Sequence, residues 1–268
     1  GGERIDASGF GHDFDERFFG HVGVNLLRDW AGAKGGAAPR VPEGVRLGAP
    51  VCRPSKIVCV GVNYRDHARE TRSALPAEPV LFCKSTTAIA GPFDPLVLPR
   101  GAGKVDWEVE LGVVVGSTAR YVEVADAPGH IAGYLLHNDY SERSFQLERS
   151  GQWVKGKSCD TFAPLGPWLV PADQVADARR LGMWLRVNGE IRQQGNTSDM
   201  VFGPAELVSY ISQFMTLLPG DIISTGTPAG VGLGMDPPVY LKAGDVVECG
   251  IDDLGQMRQV VVPWEEEQ

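Results

Sequence analysis

A mainly β chain of the α+β class is what this sequence predicts, and three observations lead there. From Ser55 onward the apolar runs are short, rich in valine and isoleucine, and closed by Gly, Pro, Asn or Asp, which is how strands are punctuated. Two of the breaks carry hairpin chemistry. Strand-like and helix-like segments also fail to alternate as a doubly wound parallel sheet would require.

Residues 1–52 are irregular and frequent in Gly and Pro, with one helical stretch near residues 18–30. They read as a small N-terminal region ahead of a main domain at 53–268. A chain of 268 residues that is 43% hydrophobic can bury a full core, yet it lies near the size at which chains begin to split. Strands are expected at residues 57–62, 80–83, 109–115, 131–137, 183–187, 222–225, 246–251 and 257–262. Asn188-Gly189 supplies the positive-φ pair of a type I′ turn between residues 185–187 and 190–192, and Asp252-Asp253-Leu254-Gly255 links the last two strands. Helices are expected at 65–72 and at 204–215, where Leu207, Val208, Ile211 and Phe214 fall at helical spacing behind Pro204 in the first turn. The resulting picture is an antiparallel or mixed sheet with helices at its margins.

With 34 acidic against 25 basic residues the chain carries a net charge of -9 and no basic patch, which excludes nucleic acid and anionic membrane as partners. No window approaches the roughly 18 uninterrupted apolar residues of a membrane span, and the N-terminus lacks the pattern of a secretory signal. A soluble, cytoplasmic protein is expected. The five cysteines are scattered without a C-x-x-C pair, so neither a disulfide framework nor a zinc ribbon is indicated, and buried free thiols are expected.

The most informative segment for chemistry is Asp106-Trp107-Glu108-Val109-Glu110-Leu111. Side chains of a strand alternate faces, so Glu108 and Glu110 point one way while Val109 and Leu111 point the other. Two buried carboxylates need a counter-charge, and a hard cation with oxygen ligands supplies one. Taken singly, the pair reads as well as two ordinary glutamates at a solvent-facing strand end. Asp139 tips that balance, because it follows the apolar run 131–137 at the mouth of a buried strand. Two glutamates and an aspartate leave several positions of a Mg²⁺ octahedron open for water or substrate.

His67 and Glu70 are i, i+3 neighbours if residues 65–72 are helical, and a histidine oriented by a carboxylate is a competent general base. A surface pair is the ordinary alternative. In Val154-Lys155-Gly156-Lys157 a lysine could bind a carboxylate or stabilise an enolate, and composition does not separate Lys155 from Lys157. The glycine-rich run 225–232 lacks both P-loop and dinucleotide-fold spacing, and reads as a tight loop whose amides approach a ligand.

In this order, Val60-Gly61-Val62-Asn63-Tyr64-x-x-His67, Asp106-Trp107-Glu108-Val109-Glu110-Leu111, Gly156-Lys157-Ser158-x-Asp160-Thr161-Phe162 and Pro219-Gly220-Asp221-Ile222-Ile223-Ser224-Thr225-Gly226-Thr227-Pro228 resemble the fumarylacetoacetate hydrolase superfamily, its acylpyruvase and 2-hydroxyhepta-2,4-diene-1,7-dioate isomerase members in particular. The resemblance covers roughly residues 55–262. It implies the family's mixed β-sandwich roll, a homodimer, and a small N-terminal region before the catalytic domain.

By resemblance, Glu108, Glu110 and Asp139 are the ligands of Mg²⁺ or Mn²⁺, and His67 with Glu70 is the lid dyad. Lys157 rather than Lys155 is the catalytic lysine, and Arg143, Gln146 and Thr227 contact substrate. The further upstream aspartate ligand of fumarylacetoacetase has no local match. Arg65 and Ser85 stand where related sequences often have a small residue and a proline.

The activity so implied is metal-dependent hydrolysis of a C–C bond in a 2,4-diketo acid of acylpyruvate type, such as fumarylpyruvate or a sugar-derived diketo acid, through a chelated enolate. Oxaloacetate decarboxylation and 2-hydroxy-dienoate isomerisation use the same metal and are the alternatives. A non-catalytic module that binds an organic acid is the third.

Overall fold

The computed structural model describes residues 4–11 and 13–265. In chain order its elements are α1 (Glu16–Gly20), α2 (Gly23–Lys34), β1 (Ile57–Gly61), α3 (Arg65–Glu70), β2 (Val80–Lys84), β3 (Ile89–Ala90), β4 (Leu96–Val97), β5 (Val105–Asp106), β6 (Val109–Val115), β7 (Ile131–Asn138), β8 (Ser141–Glu142), α4 (Arg143–Leu147), α5 (Val154–Lys157), β9 (Ala163–Pro171), β10 (Gly182–Val187), β11 (Glu190–Asn196), α6 (Pro204–Ser212), β12 (Ile222–Ser224), β13 (Val246–Ile251) and β14 (Gly255–Val262).

A seven-stranded sheet has the order β2-β1-β12-β6-β7-β9-β3, and a five-stranded sheet the order β11-β10-β13-β14-β4. Most neighbours are antiparallel, while β1 with β12, β14 with β4 and β3 with β9 are parallel, so the mixed, mainly β class is what forms. The centre of the large sheet is β6, whose seven residues are all buried, because both of its faces are covered and its sequence is apolar after Glu110. Met183, Leu185, Val247, Cys249 and Met257 of the second sheet join Leu111, Val113 and Leu135 of the first in one core. Phe19 and Val51 of the N-terminal region pack into the same core.

The hairpin at Asn188-Gly189 forms with φ of 53° and 81°, as a type I′ turn needs. Departures from the expected elements have local causes. The helical stretch at 18–30 is two helices, because Val22 turns left-handed at φ 52°. In α6, Leu207, Val208 and Ile211 are buried, but Phe214 lies past the helix end and is exposed.

The nine-residue β9 escaped the periodicity reading because Pro164, Pro167 and Pro171 interrupt it. Prolines are tolerated there since the ladder with β7 steps from Val170 opposite Tyr134 to Gly166 opposite Leu136, leaving residues 167–169 out of register. Of the cysteines, Cys59 and Cys249 are buried free thiols, but Cys52 and Cys159 are half-buried and Cys83 is exposed, which corrects the expectation for those three. Among the described residues no helix is long and apolar enough to cross a membrane.

Candidate active site

The edge where β6 begins and β7 ends carries the acidic groups. The Glu108 amide donates to Asn138 Oδ1 at 2.9 Å and the Asp139 amide donates to the Glu108 carbonyl at 2.8 Å, which clamps the two chain segments together. Strand alternation then sends Glu108 and Glu110 into the cavity and seals Val109 and Leu111 in the core.

One oxygen from each of Glu108, Glu110 and Asp139 lies within 4.8 Å of the others, and all three residues are buried. Two oxygens opposite each other across a Mg²⁺-sized ion are about 4.2 Å apart, so small side-chain rotations close this set on a cation. Three hard carboxylate donors suit a divalent ion of that type.

Lys157 is almost wholly buried and donates to Glu108 Oε2 at 2.6 Å and to Asp139 Oδ2 at 2.8 Å. Lys84 donates to Asp139 Oδ1 at 2.5 Å and to the Tyr140 carbonyl at 3.0 Å. Arg143 reaches Glu108 Oε1 at 2.7 Å, Asp106 Oδ2 at 2.8 Å and Gln146 Oε1 at 3.0 Å. Burial alone would raise the carboxyls of Asp139 and Glu108, but Lys157 with Lys84 holds the first well below the usual carboxylate range and Lys157 with Arg143 lowers the second. The ammonium of Lys157 is likewise held charged against its burial by Asp139 and Glu108.

Among the described residues Glu110 has no such ion-pair partner. Burial, then the charges of Asp139 and Glu108, push its carboxyl well above the usual range, although Ser224 Oγ at 2.5 Å and the Gly226 amide at 2.8 Å both donate to its Oε2. The cluster is thus short of positive charge at Glu110, which a divalent ion would supply.

A raised carboxyl is protonated in the folded, metal-free protein above the pH of about 4.3 at which a free glutamate ionises. Binding of Mg²⁺ or Mn²⁺ is therefore expected to release protons, more of them as the pH falls toward that value. Calorimetric titration in two buffers of different ionisation enthalpy reads this directly, and binding heats independent of buffer would contradict it.

The cavity over the trio has a volume of about 150 Å³. His67 enters it from α3, which starts after Val62 takes a left-handed φ of 55° and Asn63 is tied to Phe202 and Thr225. A β-branched residue in that region is strained by roughly 1–3 kcal/mol, a cost that the Asn63 bonds offset.

His67 Nδ1 lies 3.3 Å from Glu70 Oε2, and Glu70 Oε1 accepts from the Gly230 amide at 2.9 Å. If Nδ1 carries the proton, Nε2 is left as the basic atom. The loop 225–233 holds the site's carboxylates with its amides: Gly226 to Glu110, Gly230 to Glu70, and Gly232 and Leu233 to Asp106. Its Gly226 sits at φ 95° with no room for a Cβ against Asn63.

His67, Glu108, Glu110, Arg143, Gln146, Lys157 and Thr227 all line this cavity, and Glu70 and Asp139 stand directly behind His67 and Lys157. The Thr227 hydroxyl donates to the Val109 carbonyl and accepts from Gln193 Nε2. Lys155 is exposed and bonded to the Arg149 carbonyl, so burial separates it from Lys157 where composition did not. Arg65 lies outside the cavity and donates to the carbonyls of Asp199 and Met200.

Sequence reasoning missed Lys84, Asp106, Phe82 and Trp153. Lys84 left a readable signal, a lone lysine closing the apolar run 80–83. Asp106 read as the start of a motif, and only the fold shows it gathering Arg143 and the loop amides.

Residues 56–262 match the family described as Fumarylacetoacetate (FAA) hydrolase C-terminal. The chain is 52% identical to the mitochondrial oxaloacetate tautomerase FAHD2A of Bos taurus, over 80% of this chain and 68% of that protein. It is 49% identical to the 2,4-didehydro-3-deoxy-L-rhamnonate hydrolase of a Sphingomonas species, over 90% of this chain and 85% of the other. Its fold is similar to the crystal structure of maleylpyruvate hydrolase from Sphingobium sp. SYK-6 in complex with manganese(II) and pyruvate, with a TM-score of 0.79, 34% identity, and coverage of 93% and 86%.

Proposed function

We propose that this chain, which belongs to the fumarylacetoacetate hydrolase family, hydrolyses a C–C bond in an acylpyruvate-type 2,4-diketo acid, with Mg²⁺ or Mn²⁺ held by Glu108, Glu110 and Asp139. The observation that carries this reading is the convergence of an acid trio, a buried lysine and a His–Glu dyad on one cavity. A divalent ion bound there supplies a Lewis acid that polarises a carbonyl oxygen and offsets charge developing on it.

The chain's own residues account for the proton movements. Glu70 orients His67, whose Nε2 takes a proton from water as the water oxygen bonds to the substrate's C4. The bond from C3 to C4 then breaks, its electron pair passes to the 2-oxo acid half, and the other half leaves as a carboxylic acid. The proton held on His67 returns to C3. Lys157, fixed between Glu108 and Asp139, stabilises negative charge as it grows in the cavity. Arg143, Gln146 and Thr227 position the substrate.

Assay of a panel of acylpyruvates with Mg²⁺, Mn²⁺ and a chelator tests this, with product identification to show which bond was cut. His67→Ala is expected to lower kcat for hydrolysis by about 10²–10⁴-fold, the usual contribution of a positioned general base. Hydrolysis that survives that change unaltered would remove the dyad from the mechanism.

Oxaloacetate tautomerisation is a second reading, favoured by the 52% identity to a named tautomerase. Keto–enol exchange, like oxaloacetate decarboxylation or dienoate isomerisation, needs no attacking water, so the His67→Ala enzyme would retain part of it. The chain is further taken to work as a cytoplasmic homodimer, which sedimentation of the purified protein tests for the oligomeric state.

A further inference from the structure

The cavity divides into a charged floor and a nearly uncharged wall. Away from the trio it is lined by Phe82, Trp153, Leu147 and Leu233, with the hydroxyls of Thr71 and Ser73 toward α3. Phe82 and Trp153 meet edge to face at 5.2 Å, and the Lys157 ammonium sits 5.0 Å from the Phe82 ring centroid, so the wall begins at the catalytic floor and runs outward. Gly61 makes this closure possible, because a Cβ there would stand 2.8 Å from the Trp153 ring. Thr71 Oγ1 donates to the His67 carbonyl at 2.9 Å and lies 3.1 Å from Ser73 Oγ, which leaves these hydroxyls able to bond a neutral polar group.

Arg143 and Lys157 are the two permanent cations lining the cavity among the described residues, and both stand at its floor with carboxylate partners. The guanidinium is spread over Asp106, Glu108 and Gln146, and the ammonium bridges Glu108 and Asp139. Any positive charge on His67 is faced by Glu70. A second substrate carboxylate laid along the aromatic wall would lose its hydration and meet no free counter-charge.

We infer that the substrate is a monocarboxylate whose acyl end is alkyl or hydroxyalkyl, and that Phe82, Trp153 and Leu147 select against dicarboxylates. This rests on the 2-oxo acid reading of the floor and narrows it to one charge class.

Binding of 2-oxovalerate and 2-oxoglutarate to the Mg²⁺-loaded protein tests the inference, since the two differ by a terminal methyl against a terminal carboxylate. Calorimetry is expected to show 2-oxovalerate bound more tightly by about 30-fold or more, the penalty of an unpaired carboxylate against an apolar wall. Leu147→Arg, which sets a cation at the exposed rim of the wall, is expected to tighten 2-oxoglutarate by about 10-fold. In turnover, an alkyl acylpyruvate should be preferred over fumarylpyruvate and oxaloacetate.

Equal or tighter binding of 2-oxoglutarate, or a preference for either dicarboxylate in turnover, would overturn the inference and leave the proposed site intact. Failure of both 2-oxo acids to bind, with no acylpyruvate cleaved, would overturn the site reading itself and this inference with it.

Discussion

Glu108→Ala is expected to lower metal-dependent kcat/KM by about 10³-fold or more, the equivalent of the several kcal/mol a Lewis acid contributes to the transition state. Two consequences combine at this residue. The proposed ion would lose one of three carboxylates, and Arg143 and Lys157 lose a group that both of them bond in the cavity floor. Each cation keeps another carboxylate, Asp106 for Arg143 and Asp139 for Lys157, so the variant should still fold. Mn²⁺ affinity followed by electron paramagnetic resonance separates loss of the ion from loss of the protein, with circular dichroism as the check on folding. A Glu108→Ala enzyme with undiminished Mg²⁺-dependent turnover would end the assignment of this trio.

Lys84→Met should instead appear as instability. Lys84 and Asp139 are buried and 2.5 Å apart; removing one partner of a buried pair costs about 3–5 kcal/mol where the other charge is stranded, and because Asp139 keeps Lys157 the loss is expected toward the lower end of that range. Urea unfolding at pH 7 measures this.

The pH dependence has a defined sign. Asp139 is depressed in the folded state, so its contribution is present above the unfolded value of about 3.9 and is lost as pH falls through the lower folded value. The deficit of Lys84→Met relative to the parent should therefore be largest near neutral pH and shrink in acid. Adding Asp139→Asn to Lys84→Met should recover part of the stability, since the buried carboxylate left with one partner in place of two is gone. A single variant as stable as the parent would show that Lys157 alone satisfies Asp139.

The strands that build the site were readable because their physics is local. Residues 109–115 and 246–251 form with the expected bounds, since an apolar run between turn residues has one economical solution. The same alternation puts Glu108 and Glu110 on one face. Helices α4 and α5, with five and four residues, are too short to show a period, and so Arg143 and Gln146 entered only by resemblance. In β9 the prolines argued against a strand that the irregular register with β7 accommodates.

The sequence by itself determined the mixed, mainly β class and the pairing of Glu108 with Glu110, because side-chain alternation is a property of one strand. Only the tertiary structure decided which charges face them. Lys84, Arg143 and Lys157 come from β2, α4 and α5, and each is held at the trio by contacts that no local pattern encodes. It also decided that the glycine-rich loop spends its amides on Glu110, Glu70 and Asp106, since a backbone donor takes its partner from whatever the fold brings within about 3 Å.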